Sequence, residues 1–145
     1  MSRVSIYMDK ERNIIIIPYW KDKNGISRKS IHYSELEVGY TEEILGEEIM
    51  ISLEVSGRIE FEELTQDTWK KAGKVKSWKA FQRKYDTVLV DIDENGSWYI
   101  AKYRKLKDGS YGLEKGDEEK YSRRYTEPLT AEQLGHIVLE MLAIK

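Results

Sequence analysis

The chain has 145 residues, 40% hydrophobic and 34% charged, with a formal net charge of −2. That is the size and balance of one soluble domain, large enough to bury a core without covalent staples. It contains no cysteine, which excludes a disulfide framework, thiol nucleophiles, cysteine zinc sites and iron–sulfur clusters, and suits a reducing compartment.

Residues 4–8 alternate Val4, Ile6 and Met8 with Ser5 and Tyr7 and predict a first strand. A polar turn at 9–13 leads to a second strand, 14–20, whose opening run Ile14, Ile15, Ile16 and Ile17 is expected to be covered on both faces. Pro18 marks the far end of that strand as an edge or a bulge. The Asn24-Gly25 pair signals a hairpin into a third strand across 27–38. A helix then opens at Thr41, a good N-cap, with Glu42 and Glu43 in its positive first turn and Tyr40 placed to staple onto Leu45; it reaches about residue 55. Residues 58–64 read equally well as strand or helix. Ser77 caps a short helix that puts Trp78, Phe81 and Tyr85 on one face.

The second half repeats the first. A strand at 87–93, a turn with Asn95-Gly96, a strand at 98–106 and a turn at 107–109 follow the same order. At an offset of 84, Tyr19 meets Tyr103, Lys21 meets Lys105, Asn24 meets Asp108 and Gly25 meets Gly109. About five extra residues then shift the offset to 89, where Thr41 meets Thr130, Leu45 Leu134, Gly46 Gly135, Ile49 Val138 and Leu53 Leu142. In the last helix Thr130 and Gln133 form a capping box and Leu129 can staple onto Leu134. Leu134, Ile137, Val138, Met141 and Leu142 share one stripe, with His136 and Glu140 opposite. A glycine inside a helix costs about 1 kcal/mol against alanine, so Gly46 and Gly135 imply a close approach, expected between helix and sheet. The expected fold is therefore α+β: antiparallel sheet with helices packed on it, in one domain spanning 1–145, with related strand-strand-helix halves at about 4–55 and 86–143.

Chemistry is hard to place in this chain. The two histidines, His32 and His136, are far apart and form no metal-binding pattern, so both are expected at the surface or the core edge. No nucleophile-elbow, Walker or dinucleotide motif occurs. Residues 91–96 resemble the start of a calcium loop, but position 12 of such a loop would be Lys102, which leaves a simple turn. No catalytic residue, metal site or cofactor is assigned.

Charge, by contrast, is segregated. Residues 31–67 carry eleven acids against Arg58 alone, and residues 68–85 carry seven bases and no acid. Such blocks either mark a binding face or neutralise one another. Glu43, Glu47 and Glu54 project within a narrow arc of the first helix, and Glu114, Asp117, Glu118 and Glu119 form a second acidic cluster in the insertion. The segment 69–85 interleaves Trp69, Trp78, Phe81 and Tyr85 with lysines, a pattern compatible with stacking on single-stranded nucleic acid. Their helical spacing and the overall acidity favour a core role instead.

The stretches VSIYMDKERNIIIIPYWKDKNG, LGEEIMISLE, KSWKAF and LTAEQLGHIVLEML, in that order, resemble the contact-dependent growth inhibition immunity protein family (CdiI). The resemblance implies a non-enzymatic cytoplasmic protein that binds and neutralises the C-terminal toxin domain of its cognate effector, often a basic nuclease, by occluding its active or substrate-binding site. It assigns no contact residue. The acidic candidates Glu43, Glu47, Glu54, Asp117, Glu118 and Glu119 are therefore the expected toxin-binding surface. A homodimer stays open, a membrane partner is not expected, and the alternative is a nucleic-acid-binding module using 69–85. No signal peptide or membrane span is read from the N-terminus or the longest aliphatic run.

Overall fold

The computed structural model describes residues 2–59 and 67–145. Most of the undecided stretch 58–64 therefore lies outside the described residues, Arg58 being the last residue of a helix.

Two central strands, β1 (Ser2–Met8) and β5 (Asp86–Ile92), come from different halves and pair antiparallel with Val4 opposite Val90 and Ile6 opposite Val88. Outside β1 lies β2 (Ile14–Lys21), and outside β5 lies β6 (Trp98–Lys105). Each outer strand has two partners. β3 (Ser27–Lys29) pairs with the far end of β2 and β4 (Ser34–Leu36) with its start. In the same way β7 (Tyr111–Gly112) pairs with the far end of β6 and β8 (Ser122–Tyr125) with its start. Even register repeats: Ile14 faces Leu36 as Trp98 faces Tyr125. The result is one eight-stranded antiparallel sheet built from two related halves.

The single third strand expected over 27–38 is two strands, interrupted where residues 30–33 lie opposite Ile17 and Pro18. The Ser30 amide donates to the Pro18 carbonyl at 2.8 Å, so Pro18 faces the junction of β3 and β4 and has no N–H to return the bond. The ladder is interrupted there, and the Ser30 hydroxyl accepts from the His32 amide as the chain turns. The proline therefore faces a bulge, where two residues of β2 lie opposite four of the neighbouring chain, the second of the two settings expected for it.

One face of the sheet presents Val4, Ile6, Ile14, Ile16, Val88, Val90 and Ile100 to two helices, α1 (Glu42–Arg58) and α5 (Ala131–Leu142). Fully burying each such side chain contributes about 1.5–3 kcal/mol. Thr41 caps α1 by accepting from the Ile44 amide, and Thr130 and Gln133 form the predicted capping box on α5. Every residue of the predicted α5 stripe is buried. Lys102, itself buried, closes the far end of α5 by donating to the carbonyls of Leu142 and Ile144 at 2.9 and 2.7 Å, and burial lowers its pKa.

The helical glycines serve a different contact from the one expected. A Cβ on Gly46 would run into the backbone carbonyl of Ala131, and one on Gly135 into that of Glu42. These are equivalent contacts at the offset of 89, so the glycines let the first turns of α1 and α5 cross backbone to backbone. The approach is helix to helix, because side-chain periodicity names a face but not the element that meets it.

On the second face, α2 (Thr68–Gly73) and α3 (Trp78–Lys84) cover Tyr7, Ile15 and Ile17. Phe81, fully buried, meets Tyr7 edge-on at 5.0 Å between ring centroids and is stacked by Trp78 at 5.3 Å. These helices come from the connection between the halves. The insertion of the second half holds a one-turn helix, α4 (Glu118–Tyr121), docked on β6 and β8.

Candidate functional site

The outer face of α1 is the first candidate. Because Leu45, Ile49, Ser52, Leu53 and Ser56 point into the core, a helical turn of 3.6 residues sends Glu43, Glu47 and Glu54 outward along one ridge. All three are exposed. Beside them runs a second ridge with Ile44 and Ile51, 43% and 54% exposed. Glu54 pairs with Arg58 at 3.5 Å, a solvent-washed contact of small worth.

The second acidic cluster is committed differently. Asp117 accepts from the Glu114 amide at 2.8 Å and pairs with Arg104 at 3.2 Å; the amide bond first and then the guanidinium hold its carboxyl below the usual range. Glu118 accepts from the hydroxyls of Ser122 and Tyr99 at 2.7 and 3.0 Å, which lowers its own pKa. These two carboxylates fasten the insertion to β6, while Glu119 is exposed on α4. Since α1 packs on β1 and β2 and α4 on β6 and β8, the two acidic clusters lie over different halves of the sheet and do not form one patch.

His136 stands between two carboxylates, with Nδ1 2.6 Å from Glu42 of α1 and Nε2 3.2 Å from Glu140 on its own helix. Glu140 in turn pairs with Arg123 of β8. The hydrogen bond and charge of Glu42 raise the imidazole above its ordinary 6.5, and Arg123 holds Glu140 low. The stabilisation from protonated His136 is therefore complete below the unfolded-state pKa and is lost as pH rises through the higher folded-state value. Urea midpoints of wild type and His136→Asn should accordingly converge as pH is raised from 6 to 9; a constant gap would show that the clasp does not titrate.

In the basic segment the aromatic side chains turn mainly toward the sheet. Trp69, Trp78, Phe81 and Tyr85 pack with Tyr7 and Tyr111 against the sheet, leaving the lysines of α2 and α3 outside. Among the described residues no group of three or more His, Asp or Glu could hold a metal ion, and no helix is long and apolar enough to cross a membrane.

A further feature was not anticipated from the sequence. A cleft of about 440 Å³ opens on the second face of the sheet, lined by Tyr7, Tyr19, Tyr103, Tyr111, Trp78 and Lys29, with the turn at 108–110 on its rim. The signal was present as a period of two, since Ser5, Tyr7, Tyr19, Thr87 and Tyr103 alternate with the aliphatic residues of the core face. It could not be separated from an ordinary solvated face until α2 and α3 were seen to roof only part of it.

These features define an α+β protein with a duplicated half, an antiparallel sheet and several candidate interaction surfaces. The same fold occurs in a protein of unknown function from Neisseria meningitidis, at a TM-score of 0.67 and 12% identity, covering 98% of this chain and 93% of that one. It occurs also in a chain of the CdiA-CT/CdiI toxin and immunity complex from Yersinia pseudotuberculosis, at a TM-score of 0.64 and 12% identity, covering 97% and 96%. No protein-family model and no curated protein matches the sequence.

Proposed function

We propose that this chain is an immunity protein that binds the C-terminal domain of a cognate polymorphic toxin in the cytoplasm and blocks its active or substrate-binding site. The observation that carries this reading is the fold, shared almost end to end with a chain of a toxin and immunity complex. The partner is a basic nuclease. The outer ridge of α1, with Glu43, Glu47 and Glu54 beside Ile44 and Ile51, offers such a surface long-range attraction together with apolar contact area. Glu119 adds charge on the other half, while Asp117 and Glu118 act mainly by holding the insertion in shape. The protein inhibits by occupancy and performs no chemistry. The nucleic-acid reading gains little from the placement of 69–85, where Phe81 and Tyr85 are buried and Trp69 and Trp78 are partly buried against them.

Co-expression with the toxin domain encoded by the adjacent gene should restore growth; no rescue together with no isolable complex would sink the proposal. Complementary charge raises association rate more than it raises final affinity. Changing Glu43, Glu47 and Glu54 together to lysine should therefore slow association about tenfold or more at low salt, with little change in thermal midpoint. Stopped-flow measurements over a salt series would check it, and an unchanged rate constant would remove α1 from the interface.

A further inference from the structure

The repeat provides an internal control for the surface of α1. Among the described residues the exposed large apolar side chains are Ile26, Ile31, Val38, Ile44 and Ile51, all in the first half. Single exposed aliphatics are ordinary, so comparison with the second half decides which of them call for a reason. At the offset of 89, Ile44 corresponds to Gln133 and Ile51 to Glu140. Both of these α5 residues are engaged: Gln133 completes the capping box with Thr130, and Glu140 pairs with Arg123 and His136. The same two positions of the same fold are thus filled by polar side chains. The architecture does not require isoleucine at either.

The difference extends to the strand beside the helix. Arg123 of β8 stands opposite Ile100, and directly opposed residues share a face of the sheet, so its side chain lies on the helix-bearing face and reaches Glu140. Its counterpart on β4 is Ser34, opposite Ile16 in the equivalent register. Serine is too short to repeat that bridge, and Ile51 has no charge to receive it. Gly46 meets α5. At about 100° per residue, Ile44 and Ile51 fall roughly opposite it around α1, on the flank turned away from α5 and toward the β4 side of the sheet. Glu48 sits between them, about one turn from each. It is half-buried and, among the described residues, has no basic partner.

This flank is apolar, holds one unpaired carboxylate, and runs beside the exposed Glu43, Glu47 and Glu54. A second copy of α1 laid against it would set like charges together, which is unfavourable. A surface carrying aliphatic side chains with lysine or arginine among them is complementary in both respects. We infer that the flank is where the toxin domain docks, with Ile44 and Ile51 as apolar anchors and Glu48 as counter-ion to a lysine or arginine of the toxin. The inference rests on the immunity reading above and deepens it by separating two roles. The exposed carboxylates steer the encounter and set the association rate, whereas the isoleucines are covered only in the complex and set its lifetime.

Ile44→Gln and Ile51→Gln carry the polarity of the second half into the first, leave the net charge unchanged and slightly favour the helix. With the toxin domain encoded by the adjacent gene, the double variant should dissociate about tenfold or more faster than wild type, with association rate and thermal midpoint unchanged. Glu48→Gln should weaken binding about tenfold. One Lys or Arg to Met change in the toxin should cause the same loss and add nothing when combined with Glu48→Gln. Wild-type dissociation in the double isoleucine variant would overturn the flank assignment and leave the immunity reading standing. A lowered thermal midpoint would do the same by showing that the isoleucines serve the fold. Self-association of the free chain in sedimentation, lost in Ile44→Gln, would make the occupant a second copy and overturn the assignment as well. Failure of the wild-type chain to bind the toxin domain would overturn both readings.

Discussion

Replacing Gly135 with alanine should lower the thermal midpoint by roughly 4–8 °C, although alanine is the better helix former. Helix propensity alone favours the change by about 1 kcal/mol. Opposing it, the added methyl would overlap the Glu42 carbonyl, which belongs to the backbone of α1 and cannot rotate away. Overpacking of a close contact costs about 1–3 kcal/mol and occasionally more, and a rigid backbone obstacle places this case at the upper end. For a chain of this length each kcal/mol moves the midpoint by about 2–4 °C. Gly46→Ala, which meets Ala131 in the equivalent contact, should behave alike. The two losses should combine less than additively, since one widened crossing relieves both. A melt of either variant at or above the wild-type midpoint would show that the helices do not cross as described.

Phe81→Ala should cost roughly 3–5 kcal/mol, the usual loss on emptying a buried aromatic site. Phe81 is fully buried and touches Tyr7, Trp69, Trp78 and Tyr85 at ring separations of 4.7 to 5.8 Å. Truncation would therefore loosen the attachment of both α2 and α3, and urea unfolding followed by tryptophan emission reads it directly. Lys76→Glu and Lys79→Glu, on the exposed side of the same segment, should each stay within about 0.5 kcal/mol of wild type. The opposite pattern, a neutral Phe81→Ala that abolishes binding of single-stranded DNA or RNA, would restore the nucleic-acid reading.

Much of this architecture was legible because it rests on local rules stated twice. Thr41 and Thr130 cap, the turns closing at Gly25 and Gly109 reverse the chain, and apolar periodicity changes from two to near 3.6 at the same places in each half. What escaped were short elements held by distant partners. β7 and β8 are two and four residues long and exist as strands because β6 lies beside them. The break between β3 and β4 lies opposite Pro18 across the ladder, and the meeting of Gly46 with Ala131 joins residues that no local window contains. Among the acidic candidates, composition could not separate Glu43, which faces solvent, from Asp117, which is bound to Arg104. That difference is made by the partner and not by the carboxylate.

The pairing of β1 with β5 has a consequence for how the protein is made. β1 is made about eighty residues before its partner at residues 86–92 emerges. During that interval one edge of an apolar strand is unpaired, the condition most prone to intermolecular pairing. The first half cannot shelter itself, because α1 needs α5 to complete the layer over the sheet. A protein truncated between its halves should therefore be lost to aggregation or degradation.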